Sequence, residues 1–270
     1  MRGLLRNVAV TLVAIAGLYW ATGQYDDALR DPRYFDGWVL CIAMILQFLL
    51  HFRKKLPSLS LGKAASWLRA HIYAGYFVIA GFALHTGFSM PDAAFEWVLW
   101  WFFVIAAISG VVGAYLSRSV PAKLIQDGEQ ITFERIPAFR FALAQDVERL
   151  AMQTMEQSGS VAISDLYVDK LRGFLAQPRN MFAHLRGVRR PLRELCTDID
   201  NLEPYFGDQA KESLRSIKER VVEKDDLDFR YAHLGLLQIW LLVHIPVTYC
   251  LVILTIFHIA VVYAFSSGAP

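Results

Sequence analysis

The segment LLQIWLLVHIPVTYCLVILTIFHIAVVYAF, residues 236–265, contains two histidines and no charged residue. His244 and His258 lie fourteen positions apart within it. A second apolar segment, LRAHIYAGYFVIAGFALHTGF at residues 68–88, carries His71 and His85 at the same separation of fourteen. The repeated spacing predicts two helices in which each histidine of one lies at the same level as a histidine of the other.

Helix geometry puts both histidines of each segment on nearly one face, because fourteen residues turn through about 1400°, about 40° short of four revolutions. The rise per residue separates them by about 21 Å along the axis. An ionisable side chain in hydrocarbon is costly and normally faces the interior of a bundle. Two iron porphyrins, each held between one histidine of each segment, would supply partners for all four. The alternative is four unrelated histidines that hydrogen-bond across a bundle.

Composition and charge indicate a membrane protein. Of the 270 residues, 55% are hydrophobic and 13% aromatic, more than in an ordinary soluble domain. Residues 118–230 hold 18 of the 27 Lys and Arg and 19 of the 25 Asp and Glu, whereas residues 231–270 hold none. We therefore expect an integral membrane protein with one polar insert, surrounded by lipid and without a nucleic-acid partner. The three cysteines form no CxxC pair, which argues against a zinc or iron–sulfur site.

Hydropathy predicts an all-α fold, an integral membrane bundle of five transmembrane helices with a helical cytoplasmic insert. The spans are expected at about 4–22, 37–52, 67–89, 95–117 and 233–264, with a loop at 23–36. The domains are then residues 1–117 for the first four spans, 118–230 for the insert, and 231–270 for the fifth span with a short tail.

Basic residues set the predicted orientation in the cell (inner) membrane. Five of them fall between the second and third spans or at the start of the third, and cytoplasmic loops carry such an excess: Arg53, Lys54, Lys55, Lys63 and Arg69. By alternation, the N-terminus and the insert are cytoplasmic and the C-terminus is external.

The third and fifth spans then run parallel, and this decides the pairing. His71 is expected to share a haem iron with His244 on the cytoplasmic side, and His85 with His258 on the outer side. Gly75 follows His71 by one turn and Gly81 precedes His85 by one turn, so small residues could leave room for porphyrin. Ordinary close packing of helices is an equal explanation of these glycines.

Some polar residues near the predicted membrane boundary allow two interpretations. Arg69, with the basic run 53–55, could neutralise the propionates of the cytoplasmic haem, or could be a topology signal only. His51 and His233 could line a quinone headgroup, although boundary positions more often hold capping or snorkelling residues. For His184 we expect only a polar surface position.

The insert reads as packed helices. They are expected at about 137–157 and 161–176, followed by a long one that ends near 224, with breaks at QSGS, QPRN and EPYFGD. The insert shows no P-loop, no GxGxxG after a strand and no paired cysteines. It is therefore expected to be a docking or capping element and not a redox domain.

The two histidine segments resemble the dihaem cytochrome b superfamily. That group includes cytochrome b of the quinol-oxidising bc and b6f complexes and the transmembrane domains of ferric reductases and NADPH oxidases. The matching elements are AHIYAGYFVIAGFALHTGF, LLVHIPVTYCLVILTIFHIA, the equal histidine spacing and one helix between the ligand helices. The resemblance implies two haem b groups and transmembrane electron transfer. A PEWY-type quinol loop and a flavin–nicotinamide module, which members of the group carry, are not found in these residues.

Three functions follow as hypotheses. The first is an electron-transfer subunit between a quinone pool or cytoplasmic donor and an external redox protein, such as a c-type cytochrome or an iron–sulfur subunit. The second is a haem-bearing sensor or structural subunit that signals through the insert, or a ferric reductase-like oxidoreductase. The third is a haem-free transporter with a histidine proton relay.

Overall fold

Nine helices make up the part of the chain that the structure describes, and no strand occurs there. The computed structural model describes residues 2–28, 31–55, 63–124, 132–159 and 161–266. The helices are α1 (Arg2–Asp27), α2 (Pro32–Lys55), α3 (Ala64–His85), α4 (Ala94–Leu124), α5 (Ile136–Ser158), α6 (Val161–Leu166, continued by a π-helical turn Tyr167–Leu171 and by Arg172–Ala176), α7 (Met181–Arg186), α8 (Arg190–Leu202) and α9 (Asp208–Ser266). The all-α prediction is confirmed for these residues.

Four of the described helices are long and apolar enough to cross a membrane, which makes the chain an integral membrane protein. They are α1, α3, α4 and α9. The described part of α2 is not among them, so the predicted second span, at 37–52, stays a prediction. At a rise of 1.5 Å per residue, α9 is about 88 Å long, and a bilayer core is about 30 Å thick. Only the charge-free part of α9 after Arg230 can therefore lie in lipid.

The chain divides into two compact units, the first made of residues 1–115 and 240–270. In this unit α1, α2 and α3 pack on one another. Its buried core comes from α2, α3, α4 and α9: Leu40, Met44, Val78, Phe103, Ala106 and Leu251. Large apolar side chains on its outer faces are exposed, for example Val13 and Leu242, as expected for surfaces that face lipid.

Several helix ends in the first unit differ from the prediction: α1 ends at Asp27 and not at 22, and two further ends have a visible local cause. The Asp31 carboxylate accepts a hydrogen bond from the Arg33 amide at 2.9 Å, and Pro32 fits the first helical position, so α2 begins five residues before the predicted 37. The expected loop at 23–36 is therefore mostly helical, and Asp36 lies inside α2. Helix α3 ends at His85 and not at 89, because Gly87 adopts a left-handed conformation with φ 57°.

The second unit, residues 116–239, has a core formed by α5, α6, α8 and α9. The fully buried side chains of this core include Val147, Ile163, Ile199, Leu214 and Val221. The predicted breaks are confirmed: α5 stops at Gly159 with φ 61°, α6 stops before Gln177, and a 3-10 turn occupies Glu203–Tyr205.

Pro191 and Gly207 were also expected as breaks, between short packed helices and a long one that feeds into the fifth span, and one bound of that prediction is wrong. The stretch between QPRN and EPYFGD forms two helices, α7 and α8, because Gly187 turns the backbone into the left-handed region with φ 74°. The last helix does not end near 224. Its residues 221–240 contain no proline, and α9 continues without interruption to Ser266, through Pro246.

Candidate functional site

The structure brings the four histidines of the first unit together in two pairs. His71 on α3 is close enough to His244 on α9 to interact with it electrostatically. His85 and His258 form the second such pair. These are the pairs expected from parallel helices with equal histidine spacing.

Three of these imidazoles make a hydrogen bond through Nδ1. His71 Nδ1 lies 3.3 Å from the backbone carbonyl of Gln47, which can only accept, so the imidazole donates. His85 Nδ1 lies 2.7 Å from a carboxylate oxygen of Asp36, which is also an acceptor. In a neutral ring with its proton on Nδ1, the lone pair is on Nε2.

The third Nδ1 contact is part of a chain of hydrogen bonds on α4. The Ser109 hydroxyl donates to the Ala106 carbonyl at 2.9 Å, so its oxygen accepts from His244 Nδ1 at 2.7 Å. Trp240 stacks on the His244 ring at 5.2 Å between centroids and donates its indole N–H to the Ser109 carbonyl. The indole also lies directly against Gly113, where a methyl group would overlap it. The ring orientation of His244 is therefore set by two residues.

A cavity of about 470 Å³ in the first unit is lined by both His85 and His258. This volume lies within the roughly 300–1,000 Å³ typical of cofactor and ligand pockets. Its aromatic lining comes from α2, α3, α4 and α9 and includes Trp38, Phe82, Phe103 and Tyr263. Its wall combines apolar and aromatic surface with two imidazoles, which suits a flat, largely apolar metal cofactor.

Charged groups also line this cavity. Among its described lining residues, Arg33 is the basic one, and Asp31, Asp92 and Glu96 are acidic. Arg33 could therefore neutralise one carboxylate of a bound cofactor. Sequence reasoning missed Arg33 because it was assigned to a loop.

Two glycines that sequence reasoning missed lie against the imidazoles. A Cβ atom at Gly37 on α2 would lie 2.9 Å from His85 Cε1, so any side chain there would displace the ring. A Cβ atom at Gly110 on α4 would lie 3.8 Å from His244 Cε1, which is an ordinary contact. Both glycines adjoin a hydrogen-bond partner of a histidine, Asp36 and Ser109. Because these contacts join residues far apart in the chain, no sequence signal pointed to either glycine.

The two predicted glycines lie against other helices. A Cβ atom at Gly75 would be 3.6 Å from the Gln47 amide oxygen. At Gly81 it would be 3.6 Å from both Leu18 and Leu40. Their positions on α3 correspond to close packing with α1 and α2, and their role in making room for porphyrin stays a prediction.

Arg69 is the one predicted propionate partner whose side chain the structure describes. Arg69 is exposed and donates to the Ala65 carbonyl at 3.1 Å and to the Ser66 hydroxyl at 3.2 Å, both on its own helix. The side chains of Arg53, Lys54, Lys55 and His51 lie outside the described residues. Contact of any of them with a propionate, or of His51 with a quinone, stays a prediction.

The remaining histidines belong to the second unit and are buried. His184 is only 4% exposed, so the prediction of a surface position was wrong. Its helix, α7, is too short to show the periodicity that reveals a buried face. His233 is 2% exposed and its Nδ1–H donates to the Phe229 carbonyl at 2.9 Å. It is therefore a packed residue of this unit.

A buried ionic network surrounds His184. Its Nε2 lies 3.5 Å from Asp225, and burial lowers the pKa of His184 while it raises the pKa of Asp225 to about 6. The buried ammonium of Lys224 donates to the Gln177 carbonyl at 3.0 Å and pairs with Asp228, whose carboxylate also accepts from the Arg179 amide at 3.0 Å. The network ties residues 177–179 to α9.

No group of three or more neighbouring His, Cys, Asp or Glu side chains that could hold a metal ion occurs in this network or elsewhere among the described residues.

Comparison of the chain with protein-family models, with curated proteins and with solved structures gives no match.

Proposed function

We propose that this protein is a dihaem b-type cytochrome that carries electrons across the membrane as a subunit of a larger complex. His71 and His244 would hold one haem, and His85 and His258 the other. Haem b supplies one-electron chemistry when bound, and the protein sets its potential through axial ligands and their hydrogen bonds. The two ligand levels are about 21 Å apart along the helix axes, which suits transfer between the two membrane faces.

The observation that carries this proposal is the common use of Nδ1 by three of the four paired histidines. A ligand histidine in a metalloprotein donates its second ring N–H to a carboxylate, a carbonyl or another polar group, which fixes the tautomer and the ring plane. Here those partners are Gln47, Asp36 and Ser109. A proton relay of histidines would not need the same nitrogen to be occupied at each position.

The topology in this proposal follows the distribution of basic residues. Five spans include α2, the N-terminus and the insert are cytoplasmic, and the C-terminus is external. The donor is a quinone pool or a cytoplasmic protein, and the acceptor is an external redox protein such as a c-type cytochrome or an iron–sulfur subunit. The insert is then a docking or capping element.

A haem-bearing sensor is a second candidate, supported by the continuity of α9. This single helix carries Leu214, Ile217 and Val221 of the second unit's core and then both His244 and His258. A change at the ligands could therefore reach the insert through one element. Reduction that alters the proteolytic pattern of the insert would favour this function.

The direct test is a reduced-minus-oxidised spectrum of the purified protein with haem quantitation, repeated after addition of a quinol. Two haem b groups per chain are expected, both extractable into acidic organic solvent because no CxxCH motif is present for covalent attachment. One haem or none would contradict the proposal. NADH or NADPH alone, even with added flavin, should not reduce the haems, and direct stoichiometric reduction would make the protein a reductase.

A further inference from the structure

The segment 177–194 of the second unit combines clustered arginines with exposed apolar side chains. Its sequence, QPRNMFAHLRGVRRPLRE, holds five arginines against one glutamate. All five arginines are exposed: Arg179, Arg186, Arg189, Arg190 and Arg193. The segment is therefore strongly basic although the chain as a whole carries a net charge of only +2.

The fold fixes how α7 presents its side chains. The helix is bounded by two left-handed residues, Asn180 with φ 58° and Gly187 with φ 74°. His184 anchors its inner face in the core. Phe182 and Arg186 are four positions apart and so share a face, and each is two positions from His184, which puts that face opposite the core. Phe182 is accordingly 79% exposed.

Helix α8 continues the same arrangement. Leu192, Leu195 and Ile199 form its buried face. Arg190 and Arg193 are exposed, and Val188, in the turn between the helices, is 46% exposed. We call the exposed set the arginine patch: Phe182, Arg186, Val188, Arg189, Arg190 and Arg193.

Local acids neutralise this patch only in part. Arg190 donates to Glu194 at 2.8 Å, and Arg189 lies 3.9 Å from Asp226. Exposed pairs of this kind are weak and leave most of the positive field in place. Arg186 makes no ion pair with any of the described residues.

We propose that the arginine patch binds anionic phospholipid headgroups at the surface of the membrane that holds this chain, with Phe182 and Val188 at the headgroup boundary. Arginines beside exposed aromatic and aliphatic side chains are the composition of interfacial membrane contacts. An acidic soluble partner would require the charges but would not account for a phenyl ring that is almost fully in solvent. The proposal does not depend on haem binding.

Connectivity supplies the second argument for lipid. The second unit is joined at one end to α4 and at the other to α9, both candidate membrane spans. A tethered unit meets the bilayer surface at a high effective concentration, so even a weak patch is occupied.

The test uses the full chain in nanodiscs of phosphatidylcholine alone or with about a third phosphatidylglycerol. An environment-sensitive fluorophore is attached at Phe182→Cys after replacement of the three native cysteines. The matched control carries the fluorophore at Tyr205→Cys, because Tyr205 is 84% exposed in the same unit but lies beside the acidic Glu203 and Asp208.

The Phe182 probe should shift to the blue only in the anionic discs, and 1 M salt, where the Debye length is about 3 Å, should abolish the shift. Each arginine near an anionic membrane surface raises the affinity for that surface by roughly fivefold. Replacement of the patch arginines by glutamine should therefore remove the shift, whereas replacement by lysine should keep it.

Equal emission in both kinds of disc would overturn the proposal, and so would an equal response of the Tyr205 probe. A blue shift that is independent of lipid charge and of salt would indicate contact with a second copy of the chain, and this too would contradict the lipid assignment.

Discussion

The Asp36 carboxylate lies 2.7 Å from Nδ1 of His85, although 49 positions separate the two residues along the chain. Asp36 is only 3% exposed, so its contact with the imidazole is protected from water. The partners of His71 and His244 are a carbonyl and a hydroxyl, both uncharged. Among the Nδ1 partners of the two histidine pairs, Asp36 is therefore the charged one.

Removal of this carboxylate should shift one haem potential. If the protein is the proposed dihaem cytochrome, Asp36→Asn would delete a negative charge that stabilises a ferric haem through His85, so the midpoint potential of a haem held by His85 and His258 should rise. Loss of such a partner also weakens metal retention by roughly 10–100-fold. Potentiometric titration followed by absorbance measures both effects. Asp92→Asn is the control, because Asp92 is an exposed acid that lines the same cavity. This variant should change the midpoint potential and the haem retention much less than Asp36→Asn does.

Histidine variants should lose haem in two groups. His71→Ala and His244→Ala should remove the same spectral component, and His85→Ala and His258→Ala the other, because the structure pairs the residues in this way. Each single variant should retain about one haem per chain. Loss of the same component by the His71 and His258 variants would show that the helices are not parallel.

Two glycine variants form a matched pair that tests the ring positions. Gly37→Ala puts a methyl group 2.9 Å from His85 Cε1, so the haem content should fall from two to about one. Gly110→Ala puts one 3.8 Å from His244 Cε1, which the site can accommodate, and both haems should remain. Pyridine haemochrome quantitation separates these outcomes. Full retention in both variants would mean that Gly37 is not needed for the site.

The stability of the second unit should depend on pH through Asp225. Burial raises the pKa of its carboxyl to about 6 from 3.8, with Asp226 and Asp228 adding to the rise and Lys224 opposing it. A raised pKa stabilises the protonated folded form, so this contribution is complete below about pH 4 and is lost as the pH rises through 6.

Asp225→Asn removes the charged form and should therefore gain stability relative to wild type above pH 6, by about 3 kcal/mol, and little below pH 4. Thermal unfolding of both proteins in detergent from pH 4 to 8 measures the difference. His184 contributes with the opposite sign: burial lowers its pKa, so its contribution is present above about pH 6.5 and is lost on acidification. Asp169→Asn, which removes an exposed carboxylate of α6 in the same unit, is the control for the substitution itself.

The apolar helices and the helix ends within the insert were predictable from sequence, because they depend on the chemistry of neighbouring residues. Apolar runs without charge predict α1, α3, α4 and the lipid-facing part of α9, and glycine and proline predict where the insert helices stop. The pairing of the histidines follows from equal spacing on two helices together with the parallel direction that alternation of the spans gives them.

Contacts between distant residues were not predictable. A carboxylate near a helix start looks like a solvated group, and only the packing of α2 on α3 buries Asp36 against His85. The burial of His184 likewise depends on Asp225 of α9, which no pattern within a six-residue helix can indicate. The start of α2 was missed for a different reason: DPRYFD contains both a cap and a loop signature, and the cap was not recognised.

The contact between Gly113 and the Trp240 indole constrains how the protein can diverge. The indole leaves no space for even a methyl group at position 113 and donates its N–H to the Ser109 carbonyl. Relatives of this chain should therefore inherit glycine at 113 together with tryptophan at 240, and a larger residue at 113 should occur only where 240 has become small. A distant homologue could then be recognised by this paired substitution, even where overall sequence similarity is lost. It should also retain two histidines fourteen positions apart on each of two helices.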